Sequence, residues 1–197
     1  MKKNRWQDYY AREAKKKGWL ARSVFKLEEL DSKYQLLHQG DKVLDLGCYP
    51  GSWTQYSLKR IGSKGEVIGI DLNEPELPKA SRFRFIKADV LKIDLEQLDT
   101  LIGRVNVVLS DLAPRTTGVK SADAARSLEL AHRALEIALR VLVRNGAFVC
   151  KVFEGHGLQE FRSETSRYFT TLKALRPKAV RKGSREIYLI AKGRTLS

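Results

Sequence analysis

Between residues 42 and 153, short β-branched apolar runs alternate with longer helix-patterned segments, and this rhythm is the strongest constraint on how the chain can fold. Residues 42–46, 66–71, 83–88, 105–111 and 147–153 read as strands, the early ones mostly apolar on both faces, as strands buried in a parallel sheet are. The clearest helix covers residues 123–143. Leu128, Ala131, Leu135, Ala138 and Leu142 recur there at helical spacing, and Glu129 with Arg133 and Glu136 with Arg140 are set for i,i+4 ion pairs. Asn145-Gly146 is expected to stop this helix. Shorter helices are expected near residues 6–17, 22–35 and 53–61. Two later strands, 168–175 and 186–191, are separated by RPKAVRKGSR, too short for a helical crossover, so they must pair antiparallel. The expected class is α/β: an open seven-stranded sheet, mostly parallel with an antiparallel last strand, and helices on both faces.

A chain of 197 residues can bury a core as one domain (1–197) without disulfides or a structural metal. Its charge is more informative than its size. Of a net +14, residues 1–26 supply a surplus of seven and residues 176–194 a surplus of six, so the rest is nearly neutral. A balanced domain with a basic helical N-terminal extension (1–35) and a basic hairpin loop (176–185) carries the footprint of a protein that meets a polyanion. No apolar run approaches the roughly 18 residues of a membrane span. MKKNRWQDYY has no apolar stretch behind it and is not read as a secretory signal. The two cysteines, Cys48 and Cys150, lack metal-ligand spacing and suit a reducing compartment. The reading is a cytoplasmic protein without a metal and outside the membrane.

Ligands of open α/β sheets bind beyond the carboxyl ends of the strands. The first strand ends in Asp45-Leu46-Gly47-Cys48-Tyr49-Pro50-Gly51-Ser52-Trp53, where Gly47 and Gly51 let the backbone turn sharply beside a ligand. This is neither a dinucleotide fingerprint nor a P-loop. An acid at this place suits a cationic ligand, and Asp45 can act, directly or through the loop, on the amino-acid end of S-adenosylmethionine. The second strand ends in Asp71-Leu72 and the third in Asp89, placed to accept from ribose hydroxyls and from an adenine amino group. Each aspartate alone could be a helix cap; three at one sheet edge make a site.

The fourth strand ends in Ser110-Asp111-Leu112-Ala113-Pro114, with no cysteine for covalent attack on a base. The fifth carries Lys151 in an apolar run, where a buried cation requires a partner. The last opens on Glu186, and because it runs antiparallel, its start lies at the edge where the parallel strands end. Asp111, Lys151 and Glu186 thus converge by topology. Taken in order and spacing, D-L-G-x-x-P-G-x-W, S-D-x-A-P, K-V-F-x-G and S-R-E-x-Y resemble the FtsJ/RrmJ family of RNA ribose 2′-O-methyltransferases along nearly the whole chain. Cys48-Tyr49 and Ser52 depart from the small residues usual there, and Tyr49 is expected to narrow the cofactor pocket.

The resemblance implies a Rossmann-like methyltransferase fold, S-adenosylmethionine as cofactor, and a K-D-K-E tetrad at Lys26, Asp111, Lys151 and Glu186. Lys26 joins the tetrad through the resemblance alone. The same match makes Gly51, Trp53, Asp71, Asp89 and Asp111 cofactor contacts, and Lys151 the proton acceptor. Methylating a ribose hydroxyl requires alignment of oxygen, methyl and sulfur and management of one proton. A neutral Lys151 would take that proton; a charged one would stabilise the developing alkoxide. The implied partner is a uridine of large-subunit ribosomal RNA, met by a monomer, with tRNA modification and a ribosome-assembly role as alternatives. Trp6, Tyr9, Tyr10 and Trp19 either stack on bases or pack their helix onto the domain. His38, His132 and His156 show no ligand spacing.

Overall fold

The computed structural model describes residues 5–77 and 81–195. Its helices are α1 (Arg5–Lys16), α2 (Val24–Tyr34), α3 (Ser52–Ile61), α4 (Leu95–Ile102), α5 (Lys120–Val141) and α6 (Leu158–Ser166). Its strands are β1 (Lys42–Leu46), β2 (Glu66–Asp71), β3 (Phe83–Lys87), β4 (Val105–Ser110), β5 (Leu142–Phe153), β6 (Phe169–Leu175) and β7 (Glu186–Arg194). They form one seven-stranded sheet in the order β3-β2-β1-β4-β5-β7-β6. β1 to β5 pair parallel, and β7 enters antiparallel between β5 and β6. The expected class and the closing antiparallel pair are what the structure shows.

Alternation along the strands divides the core in two. On one face Phe148, Cys150 and Val152 of β5 meet α5 through Ala131, Leu135 and Ala138. On the other, Val149 of β5 and Tyr188 and Ile190 of β7 meet α2 and α3 through Leu27, Leu30, Trp53 and Tyr56. Asp31 ties this second layer together. One of its carboxylate oxygens accepts from the Leu36 and Leu37 N–H groups at 2.9 and 3.0 Å. The other accepts from the Tyr56 hydroxyl at 2.9 Å and Arg60 Nε at 2.8 Å.

Three details differ from the sequence reading. The long helix ends at Val141, before Asn145-Gly146, and β5 begins at Leu142. Asn145 has a positive φ of 65° within β5, near the point where the β4–β5 register shifts, so the pair marks an irregular strand instead of a helix stop. The i,i+4 pairs on α5 do not form. Arg133 bonds Glu136 and the Val90 and Ile93 carbonyls, and Arg140 pairs with Asp99 of α4, because tertiary partners compete with the helix's own face. Helices α4 and α6 were not anticipated: each is short, and α6 buries only Phe161 and Thr165.

Replacing Asp31 with Ala leaves a buried hydroxyl and two buried N–H groups without their acceptor. The expected loss is about 3 kcal/mol of stability in urea denaturation; a loss under ~1 kcal/mol would show that the four bonds are not what anchors α2.

Candidate active site

The site is assembled at the carboxyl edge of the sheet. Asp111 follows β4, its N–H bonded to the Leu46 carbonyl at 3.2 Å. Lys151 lies on β5 opposite Tyr188 of β7, and Phe153 lies opposite Glu186, so the β5–β7 register puts Lys151, Tyr188 and Glu186 on one face. Lys26 comes from α2, which is seated by Val24, Leu27 and Leu30. Trp53 Nε1 donates to the Ser23 carbonyl at 2.9 Å, and the Ser23 and Ser52 hydroxyls are 2.8 Å apart, fixing the start of α2 on α3.

Two buried lysines each meet a carboxylate. Lys151 Nζ lies 3.0 Å from Asp111 Oδ1 and 2.5 Å from the Asp111 carbonyl. Lys26 Nζ lies 2.7 Å from Glu186 Oε1. Only 6 % of Lys151 and 8 % of Lys26 is exposed, so unpaired cations here would be costly. Tyr188 links the two pairs: its hydroxyl donates to Asp111 Oδ1 at 2.6 Å, and its ring centre lies 5.7 Å from Lys26 Nζ. All four tetrad residues are therefore brought together. Tyr188 was given no role from sequence, although its place two residues after Glu186 on the same strand face was the available signal.

Electrostatics sort the groups. Burial works to raise the Asp111 carboxyl, but Lys151, Lys26 and the Tyr188 hydrogen bond outweigh it and hold Asp111 below its ordinary value. Burial, followed by the charges of Asp111 and Glu186, pushes the Tyr188 phenol well up, so it remains a donor. Asp45 behaves oppositely. It is fully buried beneath the glycine loop, and desolvation pushes it up to about 7 against the bond it accepts from Thr54 at 2.6 Å. Its Oδ1 has no hydrogen-bond partner among the described residues.

A cavity of about 350 Å³ adjoins this centre, lined by Gly47, Tyr49, Asp71, Leu72, Asp89 and Asp111 among others. A Cβ on Gly47, whose φ is +77°, would sit 3.0 Å from a Leu112 methyl and 3.2 Å from the Leu112 nitrogen. The Asp71 oxygens accept from the Tyr49 and Asn73 N–H groups at 3.1 and 2.9 Å, which orients the carboxylate and leaves lone pairs for further donors. Asp89 accepts from the Leu91 N–H at 3.1 Å as the cap of the 3-10 turn Val90–Lys92. It is a cap and a cavity wall at once. Tyr49 lines the cavity with its hydroxyl 3.3 Å from Glu76. Gly51 and Trp53 do not line this cavity. A Cβ on Gly51 would meet Leu77 and Leu20, and Trp53 is buried against Tyr188 with ring centres 5.8 Å apart.

A family model described as FtsJ-like methyltransferase matches residues 19–194. The chain belongs to this family. Its relatives include proteins named ribosomal RNA large subunit methyltransferase E. One from Desulfatibacillum aliphaticivorans is 46 % identical over 95 % of this chain and 91 % of its own length. Another from Bdellovibrio bacteriovorus is 44 % identical over 93 % of this chain and 95 % of its own. A crystal structure from Plasmodium falciparum, described as a ribosomal RNA methyltransferase, superposes with a TM-score of 0.78 at 28 % identity. That match covers 89 % of this chain and 98 % of the other.

Asp45 and Asp111 carry opposite pH signatures. Asp111, depressed on folding, contributes stability above its unfolded value that is lost as pH falls through the folded value. Asp45, raised on folding, contributes fully below its unfolded value and loses that contribution as pH rises toward about 7. The unfolding free energy of Asp45→Asn should therefore gain on wild type by about 2 kcal/mol from about pH 5 to about pH 8. A pH-independent difference in urea denaturation would contradict the raised value.

Proposed function

We propose that this chain transfers the methyl group of S-adenosylmethionine to a ribose 2′-hydroxyl of ribosomal RNA in the large subunit, with a uridine as the target. The observation that carries the reading is the pair of lysine–carboxylate contacts joined by Tyr188 beside an acid-lined cavity. The names of the relatives supply the RNA.

The cavity suits the cofactor by its donor set. Asp71 and Asp89 offer acceptors for ribose hydroxyls and an amino group, Asp111 adds negative charge for a cationic ligand, and Gly47 keeps the wall thin. Asp45 supports the loop from below, and we assign Gly51 and Trp53 to shaping that loop and the α2–α3 junction. When bound, the cofactor supplies an already activated methyl group. The protein must then place the hydroxyl and manage its proton. Lys151, oriented by Asp111, is set to hold negative charge developing on the oxygen. Were its amine neutral, the same nitrogen would take the proton. A methyl-transfer rate that rises with pH marks the neutral amine, and a flat profile marks the ammonium.

The basic ends fit a polyanion. The Lys178 N–H donates to Glu29 at 2.8 Å, and Arg22 reaches the Ala179 carbonyl at 3.4 Å, so the hairpin loop rests on α2 beside the tetrad. Burial, and then the nearby charge of Arg181, lower Arg22, as expected where the two basic regions crowd together. Tyr10 and Trp19 pack, on Phe25 and Tyr56, while Tyr9 is half exposed and available to a base. The side chain of Trp6 and residues 1–4 lie outside the described residues. No helix among the described residues is long and apolar enough to cross a membrane. We read the protein as a cytoplasmic monomer acting as one domain.

Labelled S-adenosylmethionine offered with large ribosomal subunits and with tRNA tests the proposal. Label should enter the large-subunit RNA and survive alkali as a 2′-O-methyl nucleotide. Label confined to tRNA, or found on a base, would overturn it. RNA affinity should also fall steeply as salt rises, because phosphate contacts release counterions; a flat response would remove the role given to the basic ends.

A further inference from the structure

A second and larger cavity, of about 610 Å³, opens at the same sheet edge. Its apolar side is Ala124, Ala125 and Leu128 of α5, faced by Gly155 just beyond β5. Lys120, His156 and Arg185 give it a basic margin, and Glu129 adds one carboxylate acceptor. The walls meet closely: a Cβ on Gly155 would lie 2.6 Å from the Ala124 Cβ. Arg185 braces the mouth, donating to the Glu154 carbonyl at 3.2 Å and the Lys120 carbonyl at 2.5 Å.

This cavity is separate from the one assigned to the cofactor. Leu128 lines it, whereas Leu130 lines the other, and residues two apart on a helix point to opposite sides. It nevertheless opens beside the edge that carries the lysine–carboxylate pairs, on the α5 side of the sheet. The Glu154 N–H donates to the Arg185 carbonyl at 2.8 Å, extending the β5–β7 ladder one step past the Phe153–Glu186 pair. Arg185 is the immediate chain neighbour of Glu186 but turns to the α5 face, so the cavity lies across the strand end from the tetrad, one nucleotide step from where the target ribose would lie.

We infer that this cavity takes the unpaired base of a nucleotide next to the one that is methylated, an inference that rests on the RNA substrate proposed above. The chemistry is complementary. Unpaired loop bases are splayed out and gripped by stacking, with hydrogen bonds to their edges. An apolar wall of Ala124, Ala125 and Leu128 suits a flat ring, Glu129 can accept from its N–H groups, and the Arg185 guanidinium and Lys120 suit the phosphates on either side.

Ala125 is exposed in the cavity wall, so Ala125→Trp fills the space without disturbing the core. The KM for large ribosomal subunits should rise about tenfold, the loss expected when a partly buried ring is excluded from an apolar wall, with kcat and S-adenosylmethionine affinity unchanged. Ala125→Cys provides an independent readout. Cys48 and Cys150 are both buried, and burial pushes the Cys150 thiol up to about 12, so a benzophenone maleimide should label the new thiol alone. Cross-linking to a nucleotide adjoining the methylated one supports the inference. A cross-link to a ribosomal protein, or an unchanged KM in the tryptophan variant, overturns it while the proposed activity stands. Absence of methyl transfer by the wild type overturns the activity and this inference together.

Discussion

The contact between Lys151 and Asp111 is the interaction on which the rest of the site depends. A lysine in the middle of an apolar strand is unfavourable in isolation, and a carboxylate beside it is unfavourable for the same reason. At 3.0 Å, with a further bond from Lys151 to the Asp111 carbonyl and one from Tyr188 to the Asp111 carboxylate, each makes the other tolerable. The second pair, Lys26 with Glu186, repeats this arrangement across the Tyr188 ring. The result is an array of fixed charges set in a largely dehydrated edge, where electrostatic stabilisation acts more strongly than in water.

Sheet topology makes this possible. Five parallel strands end at one edge, and a sixth and seventh could have closed the sheet in several ways. Inserting β7 antiparallel between β5 and β6 returns a strand start to the edge where the others finish. Glu186 and Tyr188 arrive there without a loop to position them, and the register with β5 sets their spacing from Lys151. The acid-lined cavity on one side of α5 and the larger cavity on the other then open near the edge that carries the two lysine–carboxylate pairs.

Much of this was legible in the residues. Strands β1 and β2 coincide with the apolar runs that announce them, because strands buried on both faces leave an unambiguous pattern. The antiparallel β6–β7 pair followed from the length of the connection, and the convergence of Asp111, Lys151 and Glu186 followed from strand direction. The docking of α2 did not. It depends on the Trp53 bond to the Ser23 carbonyl, the Ser23–Ser52 contact and the four bonds of Asp31, long-range contacts that leave no local period in the sequence. Asn145-Gly146 misled because a left-handed residue serves a strand irregularity as well as a helix end. Helix α6 stayed hidden because one phenylalanine and one threonine do not make a stripe.

The central claim is that the Lys151–Asp111 pair performs chemistry beyond holding β4 against β5. Lys151→Met preserves the length and apolar stem of the side chain and removes only its charge and donors. Single-turnover methyl transfer from S-adenosylmethionine to large ribosomal subunits, measured beside calorimetric cofactor binding, isolates that difference. The account predicts a rate lower by about 10²- to 10⁴-fold with cofactor affinity retained. A variant that binds the cofactor and transfers methyl at the wild-type rate would contradict it.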